Sequence, residues 1–299
     1  MNRAQHHHLS AFSAALGAVA VLSIMDAVMK HLVLAIGLVA VSIWRSAANL
    51  ILSAVLYLPK RARWPDGRTL RLHIIRGIDV TVMAGLFFWG IGRVPLAQSI
   101  ALTFIAPLIA MILAAFTLNE EISGRSIAGA LAAFAGVIVI VIGQAETNIA
   151  SSVLLGIAAI LGSALCYAGN IVLMRHQALA ARPLEINFFQ SATVMALWLV
   201  ALSVAGLPSL PGLEWKWILV ASLLSTCGTL IFAWGYARAP ASYLAVSEYS
   251  GFLWASACGW LFFREAVSLF TLAGAILIVA GCLIAARRRA LPPEIELVA

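Results

Sequence analysis

The apolar residues of this chain are arranged in blocks of about twenty, separated by short polar segments. A helix rises about 1.5 Å per residue, so about twenty residues cross the roughly 30 Å hydrocarbon core of a bilayer. Hydrophobic residues make up 63% of the chain and charged residues 10%, whereas soluble domains are about half apolar and about a quarter charged. The pattern therefore predicts an integral membrane protein.

The apolar blocks predict an all-α membrane protein with ten transmembrane helices. Stretches such as 127–142 lack the polar and apolar alternation expected of transmembrane β-strands, which favours helices. Ten spans place both termini on the same side of the membrane. The predicted spans are 11–30, 36–58, 73–92, 97–118, 125–143, 152–174, 184–205, 216–236, 241–262 and 267–286.

The basic residues, which account for the net charge of +7, are distributed unevenly between the two sides of this topology. Of the 19 Lys and Arg residues, four lie opposite the termini and Arg45 lies inside a span. The positive-inside rule then places both termini in the cytoplasm of a multi-pass inner-membrane protein, with no nucleic-acid partner. The residues on the side of the termini are Arg3, Lys60, Arg61, Arg63, Arg68, Arg71, Arg76, Arg125, Arg175, Arg182, Arg238, Arg287, Arg288 and Arg289.

The sequence repeats itself after 145 residues, without a gap over most of the chain. The repeat defines two units, 1–148 and 149–299, each with five predicted spans. Because five is odd, the second unit has to enter the membrane from the opposite side. Inverted repeats recur in secondary transporters, where they expose a midplane site to one side and then the other; duplication without transport is the alternative. The matches include 29–31 with 174–176, Trp89 with Trp234, Arg93 with Arg238 and Glu120 with Glu265.

Short motifs in both halves resemble those of the EamA family of the drug/metabolite transporter superfamily. In the first half these are Phe104-Ile-Ala-Pro107, Leu118-Asn-Glu120, Arg45 and Arg76-Gly77; in the second they are Ser247-Glu248-Tyr249 and Phe263-Arg-Glu265. The resemblance extends over nearly the whole chain. Pro107 is matched by Phe252 rather than by a second proline, so a hinge at Pro107 would not be symmetric.

The resemblance implies a ten-helix exporter or facilitator of small metabolites, with YddG-like amino-acid exporters and uptake carriers for cofactor-like molecules among its relatives. It also implies that the first four helices of each half surround a central cavity and that helices five and ten pack outside it. Small residues allow close helix contacts in lipid. The glycine pairs 129/136 and 274/281 therefore predict packing inside a monomer or, alternatively, a homodimer through helices five and ten.

Ionisable residues inside spans are the first functional candidates, because a charge near the bilayer centre costs roughly 2.5 to 3.5 kcal/mol. Glu248 is predicted either to line the cavity, with proton coupling possible, or to tie helices together, for example with Arg45. Arg45 could hold a substrate carboxylate through its planar donors or form a structural pair. Asp79 and Asp26 each have a basic residue within one turn, Arg76 and Lys30, so local ion pairs are alternatives for both.

Uncharged polar and aromatic residues complete the candidate cavity. Pro107 removes a backbone hydrogen bond in mid-helix, which indicates either a hinge or a static kink. The coupling or gating candidates are Asp26, Glu248 and Pro107. The substrate-binding candidates are Trp44, Arg45, Asp79, Met83, Gln98, Thr103, Tyr167, Asn170, Gln190, Tyr243, Ser247, Glu248 and Trp254.

Other classes of protein fit the sequence less well. Enzyme motifs such as His-Glu-x-x-His and Gly-x-Ser-x-Gly are absent, and the six histidines lie in the tail or at span ends, too scattered for a metal site. No metal or cofactor is expected, and rings of charge typical of channels are not visible. The favoured hypothesis is alternating-access export of small amphipathic metabolites, amino acids above all. Uptake of a vitamin- or nucleoside-like cofactor is the alternative.

Overall fold

The computed structural model describes residues 3–60, 64–106, 108–109, 124–145, 151–205, 210–236, 238 and 247–286. Nearly all of these residues are helical, and this part of the chain contains no β-strand. Short 3-10 helices cover Leu58–Lys60 and Gly212–Glu214. The α-helices are α1 Arg3–Ile36, α2 Leu38–Tyr57, α3 Gly67–Ile91, α4 Leu96–Thr103, α5 Gly124–Ala145, α6 Ser151–Ala180, α7 Pro183–Ala205, α8 Trp215–Tyr236, α9 Gly251–Phe263 and α10 Leu269–Ala286.

Six helical segments in the described ranges are each long and apolar enough to cross a bilayer. The apolar stretches of α5, α9 and α10 are shorter, and α4 contributes a helix of eight residues. Gly37 separates α1 from α2 with a φ of 82°, a backbone conformation that glycine adopts without steric cost. The long apolar segments are Ser10–Ile36, Leu38–Lys60, Gly67–Ile91, Ser151–Ile171, Pro183–Ser203 and Gly212–Phe232.

Helix α3 begins six residues before the predicted span 73–92 because Asp66 caps it. The Asp66 carboxylate accepts a hydrogen bond from the Thr69 backbone N–H at 2.8 Å, which satisfies one of the free donors of the first turn. Hydrogen bonds from Thr69, chiefly that of its side chain and then that of its backbone, hold the pKa of the Asp66 carboxyl below its usual value. Residues 67–72, which include Arg68 and Arg71, can therefore be helical although they precede the predicted span.

Helices of the two halves pair in the order that the repeat requires. The principal pairs are α1 with α8, α3 with α6, α2 with α7 and α5 with α10. The repeat makes α1 the counterpart of α6, α2 of α7, α3 of α8 and α5 of α10. Exchange of counterparts converts the α1–α8 pair into the α3–α6 pair and leaves the α2–α7 and α5–α10 pairs unchanged. The contacts thus follow a pseudo-two-fold relation between the halves.

Helix α5 and its counterpart α10 run antiparallel. A Cβ atom on Gly136 would lie 2.6 Å from the carbonyl oxygen of Gly274, whereas one on Gly281 would lie 2.5 Å from that of Gly129. Moving forward along α5 therefore means moving backward along α10. Two equivalent helices of opposite direction confirm that the repeats are inverted, and the glycine face predicted for close packing is occupied inside this chain.

The bundle has two ends, defined here by the residues that lie at them. The basic end contains Lys60, Arg68 and the turn between α6 and α7, whereas the far end contains Gly37, the turn between α3 and α4, and the turn between α9 and α10. Large apolar side chains cover the outside of the helices, as on Leu131 and Leu253, where they suit contact with lipid.

Candidate substrate site

Asp26 of α1 and Arg45 of α2 face each other between helices near the middle of the bundle. The charge of each side chain acts electrostatically on the other side chain. No ion pair or hydrogen bond joins their side chains among the described residues, and Arg45 Nε is buried there without a partner. The Arg45 guanidinium lies 5.3 Å from the ring centre of Phe88, within the range of a cation–π contact. We call Asp26 and Arg45 the charged pair.

The local pairing of Asp26 with Lys30 predicted from their spacing is wrong. Lys30 turns to the far end, where its ammonium donates to the Glu265 carboxylate and, at 2.8 Å, to the carbonyl oxygen of Val94. Asp26 is only partly buried and has the Cys258 thiol of α9 within electrostatic range. Asp26 thus lies between α1, α2 and α9 and is not paired with Lys30.

Glu265 ties the two halves together at the far end. One carboxylate oxygen accepts from Lys30, and the other accepts from the backbone N–H of Leu96 at 2.8 Å. Arg264 ends α9 with a φ of 56°, and the Glu265 N–H then donates to the carbonyl oxygen of Gly259 at 3.1 Å. This far-end latch, formed by Lys30, Glu265 and the 94–96 turn, was not among the predicted site residues.

Gln98 belongs to the far end rather than to the centre. It is buried in the wall of a small cleft that Glu265, Ser256 and Thr271 also line. Helix α4 begins at Leu96, so Gln98 lies within its first turn and next to the latch. Gln98 therefore lies beside the latch.

Glu248 is bonded to Tyr167, not to Arg45 as the structural alternative proposed. The Tyr167 hydroxyl donates to a Glu248 carboxylate oxygen at 2.8 Å, joining α6 to the residues just before α9. Both side chains are partly buried, and the ring of Tyr249 stands perpendicular to Phe104 at 5.2 Å. The Tyr167–Glu248 hydrogen bond thus lies within the second half, whereas the contact of Tyr249 with Phe104 joins the two halves.

Asp79 lies on α3 opposite α6. One carboxylate oxygen would lie 3.9 Å from a Cβ atom on Gly169, and the other is buried without a hydrogen-bond partner among the described residues. The Ser163 hydroxyl donates to the carbonyl oxygen of Met83 at 2.9 Å, one turn along α3. Asp79 and the backbone of Met83 thus contact α6, and their place in a cavity stays a prediction.

The predicted ion pair between Arg76 and Asp79 does not form. Arg76 is buried and donates from Nε to Asn170 at 2.8 Å and from Nη1 to Gln177 at 2.7 Å. Asp79 influences Arg76 only through space. Asn170 is therefore bonded to a protein side chain in this structure instead of facing a cavity.

The hydrogen bonds of Arg76 continue to the basic end through His73. The Gln177 amide lies 2.7 Å from His73 Nδ1, and His73 Nε2 lies 3.3 Å from a carboxylate oxygen of Glu185 on α7. His73 is 0% exposed, although its position in the sequence suggested a peripheral histidine. Residues 170 and 177 share one face of α6, and residues 73 and 76 share one face of α3. These helical spacings of polar residues are the sequence feature that could have predicted the network.

The other predicted residues occupy varied positions. Gln190 lies about two turns into α7 from the basic end, with Oε1 buried and without a partner among the described residues, so it is far along the bundle from Arg45. The Thr103 hydroxyl donates to its own helix at Ile100, 2.7 Å away. Ser247 is buried and Trp44 packs partly buried beside the cluster that contains Phe88. Tyr243 and Pro107 lie outside the described residues.

Trp254, a predicted cavity residue, is partly exposed on α9. Its side chain is 44% exposed, and Leu261, two turns further along the same side of α9, is 59% exposed. Cys258, one turn along α9 from Trp254, is buried, and so is Ala255. An exposed indole ring suits contact with lipid and its interface, and the cavity role of Trp254 stays a prediction.

Ten helices in two inverted repeats, with partly buried charges between them, define a membrane transporter. The chain belongs to the EamA-like transporter family of the drug/metabolite transporter superfamily, because the family model matches residues 9–142 and 154–287. The sequence resemblance is thereby confirmed, together with the two-repeat fold.

Two relatives are both Pseudopaline exporter CntI of Pseudomonas aeruginosa, from strains UCBPP-PA14 and PAO1. Each is 24% identical to this chain over 270 residues, which cover 89% of this chain and 92% of the relative. A crystal structure of another protein superimposes with a TM-score of 0.59 at 19% identity, covering 94% of this chain and 96% of its own. That similarity shows a shared fold.

Proposed function

We propose that this protein exports small zwitterionic metabolites, amino acids with apolar or aromatic side chains being the first candidates, by alternating access. The observation that carries the proposal is the charged pair. Burying a charge that has no ion-pair or hydrogen-bond partner costs free energy, and this cost falls when a ligand group of opposite charge binds. A zwitterion supplies a carboxylate for Arg45 and an ammonium group for Asp26, so one ligand compensates both residues.

The surroundings of the charged pair suit an amphipathic ligand. Arg45 presents a planar set of donors, which binds a carboxylate through two parallel hydrogen bonds. The ring of Phe88 lies beside the guanidinium, and Trp44 packs next to the same cluster. In this proposal the apolar part of the substrate contacts these rings. Asn170 and Gln190 have no direct role, because Arg76 engages the first and the second lies near the basic end.

The direction of transport and the orientation in the membrane are parts of the same proposal. The two relatives are exporters by name, which favours export. The excess of basic residues on the side of the termini favours a cytoplasmic basic end and an inner-membrane location. The far-end latch ties Lys30 of the first half to Glu265 of the second, so it supports a carrier closed on its outer side. The units 1–148 and 149–299 would then move against each other.

The test is exchange of labelled amino acids across liposomes that contain the purified protein. Leucine and phenylalanine are compared with their decarboxylated amines and their deaminated acids as competitors. We expect the amino acids to compete well and both analogues poorly, because each analogue leaves one member of the charged pair without a partner.

Two variants test the roles of Arg45 and Asp26 in substrate binding separately. Arg45→Gln should reduce the preference for leucine over the amine, and Asp26→Asn should reduce its preference over the acid. Arg93→Gln is the matched control, because Arg93 is exposed at the far end and stacks on Trp89 at 3.5 Å. Absence of exchange for any amino acid, with exchange of a nucleoside or vitamin instead, would refute the substrate class and favour uptake of a cofactor-like molecule.

A further inference from the structure

The hydrogen-bond network at the basic end fixes the protonation state of His73. Arg76 has only donors, so the Gln177 atom that it contacts at 2.7 Å has to be the amide oxygen. The amide nitrogen of Gln177 then faces His73 Nδ1 at 2.7 Å and donates to it. His73 is consequently neutral, with its hydrogen on Nε2, from which it donates to Glu185.

A second proton on His73 is incompatible with this arrangement. Protonated Nδ1 becomes a donor and would face the donor amide of Gln177 at 2.7 Å. Rotation of the Gln177 amide removes that conflict but turns its nitrogen toward Arg76, whose Nη1 then loses its acceptor while Nε keeps Asn170. Protonation of His73 and the Arg76–Gln177 hydrogen bond therefore exclude each other.

Arg76 has an alternative partner when it is released. Asp79 lies one turn along the same face of α3, already acts on Arg76 electrostatically, and buries one carboxylate oxygen without a partner among the described residues. Asp79 faces α6 beside Gly169 and the cavity candidates. Protonation of His73 would thus give the Asp79 carboxylate, in the centre of the bundle, a new partner in Arg76.

The surroundings of His73 act on its charge in opposite directions. Burial of the ring opposes the cation most strongly, Glu185 of α7 favours the cation, Arg76 of its own helix opposes it, and Gln177 of α6 is uncharged. Phe189 stacks on the imidazole, with the ring centres 5.1 Å apart. Glu185 is partly exposed in the first turn of α7, so it connects the buried imidazole to the basic end.

We propose that His73 is a proton-binding site whose occupancy switches Arg76 from Gln177 to Asp79 and thereby couples transport to protons at the basic end. The coupling to transport rests on the proposed function, whereas proton binding and the switch of Arg76 do not. Glu185, His73 and Gln177 are positioning residues in this proposal, because none of them contacts the substrate.

The first measurement is nitrogen NMR of histidine-labelled protein in lipid, titrated between about pH 5 and about pH 8, where histidine ordinarily changes charge. The His73 signal is assigned by its loss in His73→Gln. We expect the tautomer with hydrogen on Nε2 at high pH and the cation at low pH. A His73 signal that does not change over this range, or that shows hydrogen on Nδ1 at high pH, overturns the proposal.

The second measurement is leucine exchange at equal pH on both sides of the liposome. Wild type should depend on pH with the same midpoint as the His73 titration, and His73→Gln should lose that dependence while still exchanging leucine. Gln177→Glu should lose it too, because a carboxylate accepts hydrogen bonds from Arg76 and from the His73 cation together. His31→Gln is the matched control, since His31 pairs with Glu214 at 3.0 Å but is exposed at the far end.

The outcomes separate the two proposals. A wild-type pH profile retained in both His73→Gln and Gln177→Glu overturns the coupling, even if leucine is exchanged. If leucine is not exchanged by any variant, the proposed substrate fails, and the NMR titration alone decides whether His73 binds a proton and has the predicted tautomer.

Discussion

Charged side chains inside this bundle are of two kinds, those with protein partners and those without. Lys30 and Glu265 satisfy each other and two backbone groups of the 94–96 turn. Arg45 and Asp79 each bury a polar atom with no partner among the described residues. Because an unsatisfied buried charge is costly, the first kind is expected to stabilise the closed far end and the second to bind a ligand or change partner.

The stability of the far-end latch can be tested with Lys30→Met. Removing the ammonium group leaves the Glu265 carboxylate, which is 20% exposed, with only the Leu96 N–H. We expect a loss of about 3 kcal/mol, at the lower end of what breaking a buried ion pair costs. Thermal unfolding in detergent measures it. The double variant Lys30→Met, Glu265→Leu should regain most of the lost stability. An unchanged unfolding midpoint in Lys30→Met alone would contradict a stabilising role of the Lys30–Glu265 pair.

At the scale of single residues, the sequence predicted which charges lie between helices but not their partners. Asp26, Arg45, Asp79 and Glu248 were all recognised as candidates because ionisable residues are rare in spans. Spacing along one helix offered only neighbours three or four residues away, whereas Lys30 meets Glu265, 235 residues distant. His73 was missed because a histidine near a predicted span end was interpreted as peripheral.

Among the helices, α5 and α10 show most clearly why small residues recur in membrane proteins. Lipid tails are as apolar as side chains, so close packing rather than the hydrophobic effect holds such helices together. Gly274 faces the carbonyl oxygen of Gly136 and the side chain of Ile140 at distances too short for an added methyl group. The two glycines permit a contact that no larger residue allows.

Gly274→Val tests this contact. A Cβ atom at position 274 would lie 2.4 Å from Ile140 Cγ1 and 2.6 Å from the Gly136 oxygen, so the helices have to separate. We expect overpacking to cost roughly 1 to 3 kcal/mol or more, read as a lower unfolding temperature. Gly17→Ala is the matched control, because nothing lies within 4 Å of a Cβ atom there, and its stability should be unchanged or slightly higher. Equal effects of the two substitutions would contradict the close packing.

Helix number could be predicted from hydropathy, whereas helix bounds could not. The start of α3 depends on the Asp66 cap and on polar residues that are helical without being apolar. The end of α6 extends to Ala180, beyond the predicted span 152–174, because Gln177 is buried by its bonds to α3. Such extensions result from side-chain contacts between helices, which a hydropathy window does not contain.

For the whole molecule, each end of the bundle has polar contacts between the two halves. At the far end Lys30 of the first half binds Glu265 of the second, and at the basic end Arg76 and His73 bind Gln177 and Glu185. Alternating access requires the contacts of one end to break while those of the other hold. The inverted repeat was predictable because a 145-residue period is a sequence property. The contacts that close each end were not, because the repeat matches Glu265 with Glu120 but does not show that Lys30 meets Glu265.

The central claim is that a zwitterion binds between Asp26 and Arg45, and equilibrium binding of labelled leucine to the purified protein tests it most directly. Wild type and Arg93→Gln should bind leucine with similar affinity. Asp26→Asn and Arg45→Gln should each weaken binding at least about tenfold, since a charged hydrogen-bond partner is worth about 1.5 to 3 kcal/mol. Leucine binding of wild-type strength in both variants, with folding intact, would contradict the account.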